Sequence, residues 1–260
     1  MLRSIKSFEG YKVRATDDDV GSVRDFYFDD ERWGIRYLVV DTGAFFSGRR
    51  VLVSPISFRN ADWSTRQFHL ALTREKVKNS PGIELDKPVS VVSRQYEREY
   101  FRYYGWDNYW GYGYGTDRIW GGEAYPGILG NRASREQHHQ EEDGDDPHLR
   151  SVREVVGYYI QGTDGEIGHV DDFVVDDETW AIRYLVIDTR NWWLDRKVLV
   201  APHWAARISW TERKVFVDLP REKIRHSPLW HANDRVNREY EVQLYDYYGR
   251  PAYWQNGDQR

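Results

Sequence analysis

The sequence predicts an all-β protein with short helices, organised as two copies of one small domain in tandem. Residues 2–82 align with residues 149–229 at a constant offset of 147 without a gap, with 35 identities in 81 columns. Each copy contains short segments in which apolar and polar residues alternate, as in half-buried β-strands. Each copy also ends in a segment with apolar residues at helical spacing. An internal duplication accounts for all three observations.

The most similar stretch is DDERWGIRYLVVDTG at 29–43, which returns as DDETWAIRYLVIDTR at 176–190. A polar turn opens each stretch, and a strand with a period of two follows. Because alternate side chains of a strand point to opposite faces, one set of each strand is expected to face the core. The two sets are Trp33, Ile35, Tyr37 and Val39, and Trp180, Ile182, Tyr184 and Val186.

Further strands follow in each copy. Val51 and Val53 indicate one that ends at Pro55, and Phe68 and Leu70 indicate another. The second copy repeats both, with its proline at 202. Several short strands with polar turns fit either a small barrel or a sandwich. A barrel would also remove the exposed edges of so small a unit.

Two helical segments follow the strands of each copy. Residues 73–80 predict a short helix, with Thr73 as its N-cap and Pro81 after its end. The next helix is predicted to begin after Ser93 in the first copy and after Asn237 in the second. Glycine follows each of these helices at a position typical of a C-cap, at 105 and 249. The apolar stripes of the two helices are Tyr96, Tyr100, Tyr103 and Tyr104, and Tyr240, Leu244, Tyr247 and Tyr248.

These boundaries predict a first domain at 1–105, a linker at 106–148 and a second domain at 149–260. The linker begins with a glycine- and aromatic-rich stretch, 106–127, and continues with a polar, acidic one. The composition of 131–147 is typical of a disordered tether. We expect trypsin to cut there first, at Arg132 or Arg135, and each domain to fold alone.

The motifs W-x-I-R-Y-L-V-[VI]-D-T, [RK]-V-L-V-x-P and the tail REYEVQLYDYYGRPAYW (238–254) resemble the PRC-barrel family. That family is named for the cytoplasmic domain of the photosynthetic reaction centre H subunit. It also includes the C-terminal domain of a ribosome maturation factor. The resemblance implies a small, mostly six-stranded β-barrel in each copy. It leaves two functional alternatives open: an accessory subunit of a reaction-centre-like membrane electron-transfer complex, and ribosome association through a ribosomal protein.

Composition narrows the class of protein. The net charge of −5 and the pI of about 5.9 give no attraction to nucleic acid or anionic lipid. The chain has no cysteine, which excludes disulfides, thiolate catalysis and cysteine-bound metals. We see neither a signal peptide nor a run of apolar residues long enough to span a membrane. A cytoplasmic protein without membrane insertion is predicted, and peripheral contact with a membrane complex stays open.

No catalytic set is apparent. The chain lacks a phosphate-binding loop, a G-x-S-x-G turn and an H-E-x-x-H helix. Neighbouring acids such as Asp171 and Asp172 are interpreted as turn residues. The histidines at 138 and 139 lie in the acidic linker, and those at 226 and 231 match no known ligand spacing. We therefore predict no enzymatic activity, no cofactor and no metal site.

The strongest candidate for a partner-binding site is the loop after the repeated strand, which reads GAFFSGRR at 43–50 and RNWWLDRK at 190–197. Two adjacent rings on an extended segment cannot both point inward. Either the rings plug the barrel, or one ring of each pair is an exposed hot spot beside arginine. The predicted partner is an unidentified protein, bound by a scaffold whose two barrels form an intrachain pseudo-dimer. The candidate residues are Phe45, Phe46, Arg49, Trp192, Trp193 and Arg196.

Overall fold

A computed structural model describes residues 1–43, 49–81, 92, 94–106, 148–189, 196–231 and 236–254. These residues form two seven-stranded sheets and several short helices, which confirms the predicted fold class. The strands of the first half are β1 Leu2–Ser4, β2 Lys12–Arg14, β3 Asp19–Asp29, β4 Gly34–Asp41, β5 Arg50–Val53, β6 Phe58–Asp62 and β7 Gln67–Leu70. Those of the second half are β8 Leu149–Ser151, β9 Tyr159–Gly162, β10 Gly165–Asp176, β11 Ile182–Asp188, β12 Lys197–Val200, β13 Ala205–Ser209 and β14 Lys214–Val217.

The described helices repeat in the same way. The α-helices are α1 Arg74–Lys78, α2 Arg94–Tyr104, α3 Val152–Val155, α4 Arg221–Arg225 and α5 Arg238–Tyr248. Thr73 caps α1 by accepting a hydrogen bond of 3.2 Å from the amide of Lys76, as predicted. Asn237 caps α5 in the same way through the amide of Tyr240, at 2.9 Å. Gly249 ends α5 in the left-handed conformation, which also confirms the prediction. Ser93 lies outside the described residues.

The two sheets have the same strand order. The first runs β5-β4-β3-β2-β7-β6, and the second runs β12-β11-β10-β9-β14-β13. Each has one parallel pair, β2 with β7 and β9 with β14, and the other pairs are antiparallel. The long strands β3 and β10 carry the additional seventh strand. Among the described residues, neither ladder closes into a complete ring of hydrogen bonds.

The seventh strand of each sheet comes from the other repeat. β1 pairs with β10, and β8 pairs with β3. One compact unit therefore contains Met1–Ser7 with the described residues of Glu154–Arg260. The other contains the described residues of Phe8–Trp120 together with residues 148–153. These units differ from the expected division at 105 and 149 because the repeats exchange their N-terminal strands.

The polar turn before the repeated strand explains part of the duplicated sequence. Asp29 accepts hydrogen bonds of 2.9 Å from the amides of Glu31 and Arg32. The next residue, Trp33, has a left-handed backbone with φ of 53°, and its counterpart Trp180 has φ of 59°. A large side chain rarely adopts this conformation, which costs about 1–3 kcal/mol. Both repeats adopt this strained backbone conformation, so the turn belongs to the structure that the two repeats share.

The repeated strand is buried on both faces, which differs from the single core face that alternation suggested. In β4, Leu38 and Val40 are fully buried along with Tyr37. Arg36 is also fully buried and forms an ion pair of 3.0 Å with Asp29. The face that carries Tyr37 is covered by α2, because Tyr37 packs edge-on against Tyr100 with ring centroids 5.4 Å apart, while Arg36, Leu38 and Val40 are buried on the opposite face. An alternating pattern cannot reveal a helix that packs on the other side.

Glycine is required where two strands approach closely. A Cβ on Gly21 would lie 2.1 Å from the carbonyl oxygen of Asp41, and one on Gly168 would lie 2.1 Å from that of Asp188. Such distances leave no space for a side chain unless the backbone moves. The glycine of the repeated turn motif is therefore a packing requirement between β3 and β4, and between β10 and β11.

Candidate functional site

The candidate partner loops begin and end on the same stem in both repeats. The amide of Thr42 donates to the carbonyl of Arg49 at 3.3 Å, and the amide of Thr189 donates to that of Arg196 at 3.1 Å. Each threonine hydroxyl also donates to the same arginine carbonyl. The loops are thus anchored between equivalent strands, β4 and β5 or β11 and β12. The aromatic residues between the stems, Phe45, Phe46, Trp192 and Trp193, lie outside the described residues.

The two arginines at these stems differ in their contacts. Arg49 donates from its guanidinium to the carbonyl of Lys78 at 3.2 Å and to that of Ser80 at 2.7 Å. It therefore holds the C-terminal end of α1, where a positive charge also stabilises the helix dipole. No such contact to the end of α4 is described for Arg196. The structure thus gives Arg49 a role within its own repeat, which the sequence pattern did not show.

The tyrosine-striped helices pack against the short helices through their hydroxyl groups. Tyr96 donates to the carbonyl of Pro81 at 3.0 Å, and Tyr240 donates to that of Pro228 at the same distance. Tyr103 likewise donates to Lys76, at 2.9 Å. These hydroxyls therefore attach each striped helix to the short-helix segment of its own repeat.

A buried carboxylate lies beneath each striped helix. Glu241 is buried on α5 and accepts hydrogen bonds from the hydroxyls of Tyr184, at 2.7 Å, and Tyr253, at 2.9 Å. Arg238 forms an ion pair of 3.0 Å with the other carboxylate oxygen. Burial raises the pKa of Glu241, while the tyrosine hydrogen bonds and the charges of Arg238 and Arg183 oppose this rise. The cluster has donors for each oxygen, as an ionised buried group requires.

Two neighbouring acids within the acceptor strand β10 have a role that the sequence analysis missed. Asp171 and Asp172 lie within β10 rather than in a turn. Asp171 forms ion pairs of 2.7 Å with Lys6 and with Lys197. Asp172 accepts a hydrogen bond from the hydroxyl of Ser4. The interpretation of this pair as turn residues is therefore wrong, since both lie within β10 and their carboxylates contact the N-terminal segment at Ser4 and Lys6.

A groove of about 590 Å³ lies on the second repeat. His203, Trp204, Phe216 and Arg250 form part of its wall. Arg250 is held on the groove's edge by a hydrogen bond of 3.1 Å to the carbonyl of Asp218. At the repeat offset of 147, Ile56, Ser57 and His69 stand at the positions of His203, Trp204 and Phe216. The C-terminal helices align at an offset of 144, which places Trp106 at the position of Arg250.

The difference between the repeats follows from where an indole packs. In the first repeat, Trp106 stacks on Tyr104 with ring centroids 4.5 Å apart. In the second, Trp204 packs on the equivalent Tyr248 at 4.7 Å. Because Trp204 supplies this ring from a different place in the chain, position 250 carries arginine instead. These four residues of the groove wall are therefore specific to the second repeat.

The described residues contain no group of three or more His, Asp or Glu side chains placed to share a metal ion. His226 is near Glu222, with the ring Nδ1 3.1 Å from a carboxylate oxygen. The histidines at 138 and 139 lie outside the described residues. Among the helices that the structure describes, none is long and apolar enough to cross a membrane.

Taken with the strand order, the buried carboxylates and the glycine contacts, the duplicated units define a tandem protein of small β-domains, each with a C-terminal helix. The model of the PRC-barrel domain matches residues 2–63 and 147–224, which together make up more than half of the chain. The chain belongs to the PRC-barrel family, and the resemblance seen in its motifs is confirmed.

A relative in Deinococcus radiodurans is described as an uncharacterized protein. It is 37% identical over 73 residues, which are 28% of this chain and 26% of that protein. The match thus spans about a quarter of the relative's length. It adds no activity, so the function of this chain is inferred from its own site.

Proposed function

We propose that this PRC-barrel protein is a non-catalytic scaffold that binds a protein partner through the loops at 43–50 and 190–197. The observation that supports this proposal is the pair of equivalent stems, closed by Thr42 and Arg49 and by Thr189 and Arg196. Between these stems the sequence changes from GAFFSG to RNWWLD, yet two adjacent aromatic residues stay in the same place. Selection for a ring, rather than for a particular shape, is typical of a binding surface.

A protein is the partner that this chemistry favours. Aromatic residues and arginine are enriched at the centre of protein interfaces. The net charge of −5 works against direct contact with nucleic acid or an anionic membrane. Two loops on two repeats can also engage two copies of a partner, or two sites on one, and thereby gain avidity.

The test is alanine substitution at each of Phe45, Phe46, Trp192 and Trp193, followed by thermal unfolding and recovery of copurifying proteins. If one ring of each pair is an exposed anchor, its loss should change stability by less than about 0.5 kcal/mol. Binding should weaken by about 2 kcal/mol or more. Tyr159, which is 47% exposed, provides a matched control, because its alanine variant should keep the partner. A stability loss of about 3–5 kcal/mol for all four would identify the rings as barrel plugs.

Cell fractionation separates this proposal from the two alternatives implied by the family. An accessory subunit of a membrane electron-transfer complex would pellet with membranes and be released by detergent together with that complex. A ribosome-associated protein would pellet with ribosomes, bound to a basic ribosomal protein. A scaffold for other proteins should be found in neither pellet once salt has removed weak contacts.

A further inference from the structure

The two exchanged segments dock on their acceptor strands in the same register. Leu2 pairs with Asp176 and Ser4 with Val174 in the β1–β10 ladder. In the β8–β3 ladder, the equivalent residues are paired in the same way at the offset of the repeats. Both donor strands also have the same sequence, Leu-Arg-Ser. Main-chain hydrogen bonding therefore does not distinguish one donor from the other.

The contacts made by the donor serine repeat as well. Asp172 accepts from the hydroxyl of Ser4 and, at 3.1 Å, from the amide of Lys6. Asp25, at the equivalent position, accepts from the hydroxyl of Ser151 at 2.6 Å and from an amide two residues later at 3.2 Å. One carboxylate on each acceptor strand thus recognises both the serine and the main chain that follows it.

A second charged contact and an apolar anchor complete the site. Arg3 forms an ion pair of 2.5 Å with Asp177, and Arg150 forms one of 3.0 Å with Asp30. Ile5 is 2% exposed, and the equivalent Val152 is 5% exposed. The acceptor strand therefore recognises the pattern leucine, arginine, serine, β-branched residue, basic residue, added as an edge strand.

The β10 edge has one additional attraction. The ammonium of Lys6 lies 2.7 Å from Asp171, whereas the equivalent position on β3 is Arg24. A basic residue at the end of the donor segment therefore has an acidic partner at β10, whereas β3 offers no carboxylate at the equivalent position. The edge of β10 should bind the segment more tightly than the edge of β3.

We propose that the β10 edge is a docking site that accepts residues 1–6 in trans, and that the occupant is this segment from a second copy of the chain. The contacts above do not depend on whether the donor belongs to the same chain. Exchange of the segment between two molecules keeps every contact and changes mainly the chain entropy. The segment of the same chain competes with that of a second molecule because its effective concentration is high. This site is separate from the aromatic loops and does not depend on the proposed function.

The experiment uses the chain lacking residues 1–6, whose β10 edge is open, and a fluorescent peptide of residues 1–7. Fluorescence anisotropy should show binding of one peptide per shortened chain, whereas the intact chain should bind it only slowly by exchange. A peptide of residues 148–154 should bind as well, because it has the same pattern. Ser4→Ala in the peptide, or Asp172→Asn in the shortened chain, should weaken binding at least about tenfold.

Each outcome decides the proposal. A shortened chain that unfolds cooperatively and binds neither peptide would overturn the docking site. If the shortened chain does not fold alone, the peptide must restore folding, and failure to do so would overturn it equally. Whether a second molecule supplies the segment is tested by refolding the intact chain at increasing concentration and measuring its mass by light scattering. A growing dimer fraction supports it, and a chain that stays monomeric at every concentration excludes the second copy as the occupant.

Discussion

Tyr37 and Glu97 are 60 positions apart in the chain, yet the buried hydroxyl of Tyr37 donates a hydrogen bond of 2.7 Å to the carboxylate of Glu97. Tyr184 donates to Glu241 at the same distance in the second repeat. The bond connects β4, or β11 in the second repeat, to the striped helix of the same repeat. Two repeats that differ at most positions retain it, which indicates that the carboxylate secures the helix on the sheet.

Removing this hydroxyl should destabilise the first unit. Tyr37→Phe leaves the buried carboxylate of Glu97 without that donor, and we expect the free energy of unfolding to fall by about 1–3 kcal/mol. Urea denaturation followed by tryptophan fluorescence measures the loss. Tyr103→Phe is the matched control, because its hydroxyl bonds to Lys76 at the surface and should cost less than about 0.5 kcal/mol. Equal losses in the two variants would contradict a special role for the buried carboxylate.

The close approach at Gly21 predicts a steric effect. An alanine methyl group would meet the carbonyl of Asp41, so we expect Gly21→Ala to cost about 3 kcal/mol or more. Gly10 has φ of 76°, but no atom lies within 4 Å of the place that a methyl group would occupy. Gly10→Ala should therefore cost only about 1–2 kcal/mol of backbone strain. Thermal unfolding compares the two. A smaller loss at Gly21 than at Gly10 would show that β4 moves freely to accommodate a side chain.

The buried carboxylate of Asp172, which accepts a hydrogen bond from Ser4, predicts that stability depends on pH. Burial raises the pKa of Asp172 above its usual 3.8, although hydrogen bonds from Ser4 and two amides oppose the rise. The folded chain thus keeps a proton that the unfolded chain has lost, and this group makes folding less favourable as the pH rises through its folded pKa. Asp172→Asn has no such charge. Its stability relative to the native chain should therefore improve as the pH rises from 3.8 towards neutrality.

Asp62 is a control of opposite sign. Hydrogen bonds from Ser64 and Thr65 lower the pKa of Asp62, so its charged form stabilises the fold, and this contribution is lost as the pH falls. Asp62→Asn should therefore lose stability relative to the native chain as the pH rises. Urea midpoints measured from well below pH 3.8 to neutrality give both effects, that of Asp62→Asn mainly below 3.8 and that of Asp172→Asn above it. A relative stability of Asp172→Asn that does not rise above pH 3.8 would contradict the assignment of a raised pKa to Asp172.

Strand exchange predicts how the chain behaves after a cut in its linker. Trypsin is expected to cut at Arg132 or Arg135, which lie outside the described residues. The two fragments should then elute together at the mass of the intact chain, because β1 stays in the second unit and β8 in the first. Size-exclusion chromatography in native buffer and in urea makes the comparison. Separation of the fragments in native buffer would show that the exchanged strands do not hold the halves together.

Local features of the fold were predictable because each depends on a few neighbouring residues. The cap at Asn237, the left-handed Gly249 and the strand that ends before Pro55 follow from short-range stereochemistry. The duplication itself was evident from a constant offset. The family followed from the same motifs. These features are the ones that a sequence can specify without knowledge of how distant segments meet.

Other features required the three-dimensional arrangement. β4 is buried on both faces because α2 covers the Tyr37 face, and no pattern within the strand reports the position of a helix 60 residues away. The role of Arg49 at the end of α1 depends on two carbonyl oxygens brought near it by the chain path. The groove of the second repeat likewise depends on which indole reaches Tyr248.

The pairing of β1 with β10 best separates what the sequence determines from what the tertiary structure decides. By itself, the sequence determined that residues 2–4 and 149–151 are the same tripeptide, Leu-Arg-Ser, at equivalent positions of the two repeats. It could not determine which donor takes which edge, because the two acceptors offer the same ladder and the same aspartate. Only the tertiary structure decided that the repeats exchange their strands. The choice depends on the path of the chain between the donor and the two edges, and a local pattern that is identical in both repeats carries no information about that path.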